Sequence, residues 1–193
     1  MALSFLRESM RKGVHFVSLS IPIIYFFVSK ELALFVLAPI AAVSLFLDLM
    51  RFNHWFGYGV QRKLIGPILR DHEEGHFTGG TYLLVTSLVA IAIFDKIVAV
   101  AAIAFIIFGD IAAALVGKKW GRIHYSHKSV EGSLACLGIC MVVALLIPGL
   151  PLKVGFIGAG VATVAEAAST KVDDNLMVIL CSGIVMQILI SAL

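Results

Sequence analysis

Residues 97–122 read IVAVAAIAFIIFGDIAAALVGKKWGR. From Ile97 to Val116 the only charge is Asp110, and a run of about 20 apolar residues is what a helix needs to cross a bilayer. Six further apolar segments fall at roughly 14–28, 32–49, 80–94, 133–148, 154–169 and 176–193. The 193-residue chain is 60% hydrophobic and 14% charged, with mean hydropathy +1.01. A soluble domain carries about a quarter charged residues. The expected fold is therefore all-α: one integral-membrane domain over 1–193, a polytopic bundle of seven transmembrane helices.

Charge orients the bundle. With a cytoplasmic N-terminus and alternating spans, the inside segments hold Arg7, Arg11, Lys12, Arg51, Arg62, Lys63, Arg70, Lys118, Lys119, Arg122, Lys128 and Lys171. The outside turns hold only Lys30, Lys96 and Lys153. This is a positive-inside bias, and a different span count would scramble it. No small-residue cleavage site follows 14–28, so that span is read as a retained helix. Residues 52–70 repeat apolar side chains every four positions (Phe52, Phe56, Val60, Leu64, Ile68) and are broken by Gly57, Gly59 and Pro67. They suggest an interfacial amphipathic helix or a bent pair. Cys136, Cys140 and Cys181 lie inside apolar runs without metal or disulfide spacing and read as small packing residues.

Asp110 lies eight residues before Lys118, about 12 Å along a helix. A carboxylate at that depth normally faces the bundle interior and has a partner. Ala113, Ala114 and Gly117 fall at i+3, i+4 and i+7, so its helix face is nearly bare and a second helix or a ligand can come close. The following loop, 117–133, reads GKKWGRIHYSHKSVEGS. Its glycines Gly117, Gly121 and Gly132 allow close backbone approach, and Lys118, Lys119, Arg122 and Lys128 supply charge for phosphate oxygens. A Walker A spacing is absent, and an ordinary basic loop held by anionic lipid has the same composition.

More acids gather on the same face: Glu73 and Glu74 before the third span, Asp173 and Asp174 before the seventh, Glu131, and Glu166 within the sixth. In the Asp-Asp-Asn run, Asp174 or Asn175 is also placed to cap the last helix. Hard oxygen ligands suit Mg²⁺, which binds through one or two carboxylates plus substrate phosphates. The accumulation reads as a nucleotide–metal site at the cytoplasmic interface. In ESMRKGVH, Glu8, Arg11, Lys12 and His15 share a helix face, consistent with a plain topogenic flank. The other histidines, His54, His72, His76, His124 and His127, show no metal pattern and read as interfacial polar residues.

Five stretches in order resemble the CTP-dependent lipid-alcohol kinases: RKGVH at 11–15, EGHFTGGTYLL at 74–84, GDIAAALVGKKWGR at 109–122, KSVEGSLA at 128–135 and VDDNLMVIL at 172–180. That family covers dolichol kinase, yeast-type diacylglycerol kinase and the phytol and farnesol kinases, with distant likeness to phosphatidate cytidylyltransferases. The resemblance implies transfer of the γ-phosphoryl group of CTP, with Mg²⁺, to a lipid hydroxyl. It places Asp110, Lys118 and Lys128 in the catalytic roles, with Glu131 alongside and Asp173, Asp174 and Asn175 in the same site. On this reading Asp110, Glu74, Asp173 and Asp174 are the metal candidates. The nucleotide would be held by Arg11, Lys12, His15, Gly117, Gly121, Arg122, Ser129, Glu131, Gly132 and Asn175. The partners implied are a membrane lipid alcohol and a nucleoside triphosphate, not nucleic acid; a homo-oligomer is compatible. Two rivals are a CTP-dependent cytidylyltransferase acting on a lipid phosphate and a cation-coupled transporter. ATP is the alternative donor.

Overall fold

The computed structural model describes residues 18–52, 77–126, 128–169 and 172–193. Arg11, Lys12, His15, Glu73, Glu74 and nearly all of the amphipathic stretch 52–70 lie outside the described residues. Seven helices are present among those described: α1 (Ser20–Phe27), α2 (Lys30–Phe52), α3 (Gly79–Ile93), α4 (Lys96–Trp120), α5 (Val130–Leu146), α6 (Leu152–Ala168) and α7 (Asp174–Ser191). Each matches one apolar segment of the sequence. Three, α2, α4 and α7, are long and apolar enough to cross a membrane; α3 and α5 are apolar but shorter.

α4 is the axis of the bundle. It packs against α5, α7, α1, α6 and α3, and every residue from Val98 to Ile107 is at most 5% exposed. A helix apolar all round belongs in such an interior. Its alanines at 99, 101, 102 and 104 keep the surface thin, so neighbours approach closely. α2 is equally apolar but lies at the periphery against α3, with Phe35 80% exposed. On the far side of the core, glycines admit large side chains. A Cβ at Gly183 would sit 2.3 Å from the Phe94 ring.

The tight turns at the end opposite the basic loops are cross-tied. Lys30, first residue of α2, donates to the Ala92 carbonyl near the end of α3 at 2.6 Å. Lys96, first residue of α4, donates to the Val28 carbonyl at the end of α1 at 2.8 Å. Each cation thus satisfies a carbonyl that the neighbouring helix terminus leaves unpaired. Asp95 and Gln187 join α4 to α7 through two hydrogen bonds of 2.8 Å.

At the other end, α2 and α3 meet over a buried polar cluster that the sequence reading did not single out. Asp48 pairs with Arg51 at 3.1 Å and accepts from the Thr78 backbone N–H at 2.8 Å. Thr78 in turn caps α3, its hydroxyl accepting from Thr81 N–H. Ser44 Oγ and Thr81 Oγ1 share a hydrogen bond of 2.6 Å.

Candidate active site

The loop expected over 117–133 has more structure than composition suggested. α4 runs on through Lys118 and Lys119 to Trp120, so both lysines project from helix rather than loop, in the last turn where cations suit the dipole. A short antiparallel pair follows, β1 (His124–Tyr125) with β2 (Lys128–Ser129), in the register His124 to Ser129 and Tyr125 to Lys128. Ser126 turns the chain at φ 54, the left-handed region that tight hairpin turns require.

α5 starts at once, and the stretch KSVEGS explains how. Ser129 caps the helix, its hydroxyl accepting from Gly132 N–H at 3.1 Å. The Glu131 carboxylate accepts from Ile123 N–H at 3.3 and 3.4 Å, and Val130 N–H donates to the Ile123 carbonyl at 2.9 Å. Backbone donors hold the Glu131 carboxyl below its ordinary pKa, its own N–H first and those of Arg122 and Ile123 after it. Gly132 lets α5 press on α4: a Cβ there would sit 2.9 Å from the Ala113 carbonyl oxygen. Gly117 and Gly121 face the same contact, with added Cβ atoms 2.8 and 3.0 Å from Ser129 Oγ. The conformational need for these glycines is thus close packing of the hairpin and α5 onto the end of α4.

The result is a cleft of about 460 Å³ at this end of the bundle. From α4 it is lined by Asp110, Ala113, Ala114, Gly117 and Lys118, the bare face read from the sequence. The hairpin adds His124, Lys128 and Ser129; α5 adds Gly132 and Ser133; α6 adds Glu166; α7 adds Asp174. Lys128 occupies the floor. Its ammonium is 2.7 Å from Glu166 Oε1 and 3.9 Å from Asp174 Oδ2. It also donates to the Glu166 backbone carbonyl and to Ser169 Oγ at 3.0 Å. Ser133 donates to Glu166 Oε2 at 3.4 Å and shares a short hydrogen bond with Tyr125 OH.

The structure therefore brings Asp110, Lys118, Lys128, Ser129, Gly117, Gly132 and Asp174 to one cleft. Others expected there take framework positions. Asp173, rather than Asp174 or Asn175, caps α7: its carboxylate accepts from the Asn175 backbone N–H at 2.9 Å and side-chain amide at 2.8 Å. The Asn175 amide is turned into that cap and is buried, and neither residue lines the cleft. Glu131 is spent on the Ile123 backbone, and Gly121 and Arg122 carry the chain from α4 to β1 without lining the cleft. Three lining residues were not foreseen in this form, Ser133 of α5 among them. His124, read as interfacial, is on the rim. Glu166, read only as one more acid, is 5% exposed and ion-paired. The signal for Glu166 was a lone carboxylate late in an apolar helix, a position that calls for a partner.

Among the described residues no group of three or more His, Cys, Asp and Glu side chains is spaced to hold a metal ion by itself. The carboxylates that line the cleft are Asp110, Asp174 and Glu166, the last two at 3.9 and 2.7 Å from the Lys128 ammonium.

The chain is 26% identical over 167 residues to "CTP-dependent diacylglycerol kinase 1" of Schizosaccharomyces pombe, covering 74% of each. It is also 26% identical over 143 residues to an uncharacterized protein of Rickettsia prowazekii, covering 72% of this chain and 70% of that one. No family model matches the chain, and no solved structure does. The first similarity supports a place in the CTP-dependent lipid kinase family and, with the long apolar helices, in a membrane.

Proposed function

We propose that this protein is a multi-pass membrane kinase that moves the γ-phosphoryl group of CTP to the hydroxyl of a lipid alcohol, at the cytoplasmic face. The observation that carries this reading is one cleft holding Asp110, Asp174, Lys118 and Lys128 at the lysine-rich end of an apolar bundle. Similarity to a protein described as a CTP-dependent diacylglycerol kinase supports the donor and the reaction class. Acceptors to be tried are diacylglycerol, polyprenols and shorter isoprenoid alcohols.

Phosphoryl transfer asks of a protein mainly positioning and charge stabilisation. Lys118, from the last turn of α4, and Lys128, from the cleft floor, are placed to meet phosphate oxygens from two sides. Asp110 lies deeper along the same α4 face, about 12 Å from the Lys118 level by helical rise. A lipid hydroxyl held at the interface can reach it there. An alcohol is a weak nucleophile, and a carboxylate within hydrogen-bond reach that accepts its proton lowers the barrier. The two carboxylates Asp110 and Asp174 fit Mg²⁺ as a partial ligand set, since that ion takes one or two carboxylates and completes its shell with phosphates and water. When bound with the nucleotide, the ion supplies neutralisation of phosphate charge. The chain's own residues set the geometry: the α4 face left bare by Ala113, Ala114 and Gly117 gives the nucleotide room.

The test is purified protein with CTP labelled at the γ-phosphate, Mg²⁺ and a panel of lipid alcohols. Label on the lipid is the expected result. Release of the label in pyrophosphate, with CMP joined to a lipid phosphate, makes the protein a cytidylyltransferase. No transfer to any acceptor, from CTP or ATP, defeats the reading.

A further inference from the structure

An ammonium has three N–H donors and no acceptor, and all three of Lys128 are matched. Two partners belong to Glu166, the carboxylate at 2.7 Å and the backbone carbonyl of the same residue. The third is Ser169 Oγ at 3.0 Å. Lys128 is carried by a two-residue strand, whereas Glu166 sits in the last turn of a 17-residue helix. The ammonium's place in the cleft is therefore set by α6 more than by its own hairpin. Glu166 is itself held, with Ser133 on its second oxygen and Tyr125 behind Ser133.

We infer that Glu166 is a positioning residue: it fixes the Lys128 ammonium at the floor of the cleft, and a phosphate oxygen enters by replacing Ser169 as the third partner. All three bonds have the charged ammonium as donor, but only the one to the Glu166 carboxylate adds the attraction of an opposite charge; of the two neutral acceptors the Ser169 hydroxyl is the more distant, so it yields first. The remaining two bonds then hold the nitrogen while its third N–H points to the incoming anion. Paired with Glu166, Lys128 brings little net charge to the floor. Its contribution is a donor in a fixed place, felt where phosphate geometry changes in the transition state rather than in ground-state attraction of CTP.

This inference rests on the kinase reading and deepens it. The experiment is a double-mutant cycle on the full-length protein in detergent or bilayer, with CTP and the acceptor that the wild type uses. Glu166→Gln is expected to lower kcat tenfold or more, shifting KM for CTP less than about threefold. Glu166→Asp, which keeps the charge, restores kcat to within about threefold of wild type. In a Lys128→Met background, Glu166→Gln costs less than about twofold further, because its route to the reaction is already gone. Thermal midpoints of all five proteins separate unfolding from loss of turnover. Where Glu166→Gln does not fold, Ser133→Ala, which removes the partner of the second Glu166 oxygen, serves in its place: it is expected to lower kcat at least threefold in the wild-type background and less than about 1.5-fold in Lys128→Met, and equal losses in both backgrounds overturn the inference. Losses that multiply, or an effect on KM alone, overturn the inference and leave the kinase reading standing. Absence of turnover in the wild type removes both.

Discussion

The Lys128 ammonium lies 2.7 Å from the Glu166 carboxylate, joining a cation from a two-residue strand to an acid at the end of the sixth helix. The pair closes one side of the cleft, and Asp110 of α4 and Asp174 of α7 line the same space. Residues more than 60 positions apart thus share a space large enough for phosphate groups. The chemistry of the cleft depends on those helix ends staying in register.

Asp110 is the first residue to test. Asp110→Asn preserves size but removes the charge and the proton acceptor, and turns one acceptor oxygen into a donor. Turnover should fall at least about 100-fold, within the range for loss of a general base. Helix content by circular dichroism and the thermal midpoint should stay near wild type. Retained turnover in Asp110→Asn rules out the assigned role.

Gly132→Ala addresses the seam beneath the cleft. The new Cβ would lie 2.9 Å from the Ala113 carbonyl oxygen, a backbone atom that cannot swing aside. Overpacking of this kind costs about 1–3 kcal/mol. A thermal-shift measurement in detergent should show a lowered midpoint, and an unchanged one would mean that α4 and α5 are not so closely packed.

Asp48 holds the ends of α2 and α3 together through Arg51 and Thr78. The side chains of Asp48 and Arg51 are each 7% exposed, so removing one charge of the pair is expensive, about 3–5 kcal/mol. Asp48→Ala should therefore lower stability far more than a surface carboxylate change would. Denaturant titration against a control such as Glu31→Ala, at the exposed start of α2, measures the difference.

The Glu131 carboxyl is held below its ordinary value of 4.5 by backbone N–H groups, which fixes the sign of a pH effect. A depressed folded-state pKa means a contribution that is fully present above the unfolded value and is lost as pH falls through the lower folded value. Wild type should therefore be more stable than Glu131→Gln above about pH 5, and the gap should close in more acid solution. Thermal midpoints of the two proteins across that range check it; a gap independent of pH contradicts the clasp on Ile123.

With Asp110 and Asp174 supplying only part of a coordination shell, divalent metal should bind weakly to the protein alone and tightly once a triphosphate is present. Mn²⁺, followed by electron paramagnetic resonance, is a direct probe. Tight binding without nucleotide would point instead to a self-sufficient protein site.

Much of the fold was legible because its causes are local. Apolar runs bounded by charged turns mark the helices, and 3.6-residue periodicity places Ala113, Ala114 and Gly117 on the Asp110 face. The basic cluster after Asp110 was legible as charge at this end of the bundle, but it was the resemblance to the lipid-alcohol kinases that singled out Lys118 and Lys128 from Lys119 and Arg122. The hairpin was not, since two-residue strands leave almost no alternation to read. The cap at Asp173 falls one residue before Asp174 and two before Asn175, the expected positions; three polar residues in a row offer the helix start equivalent oxygens, and only the path of the backbone selects one.

Sequence alone determined the apolar, membrane-type character and the helix segments, because hydropathy and helical period are properties of neighbours in the chain. Tertiary structure decided which of two equally apolar helices, α2 and α4, stands at the centre. It also decided that Lys128 meets Glu166 and that Asp48 meets Thr78. Those pairings join segments 38 and 30 residues apart, and nothing in the local pattern specifies a partner at that distance. Close packing does, by admitting helix contacts that bring Lys128 to Glu166 and set Gly132 against the Ala113 backbone.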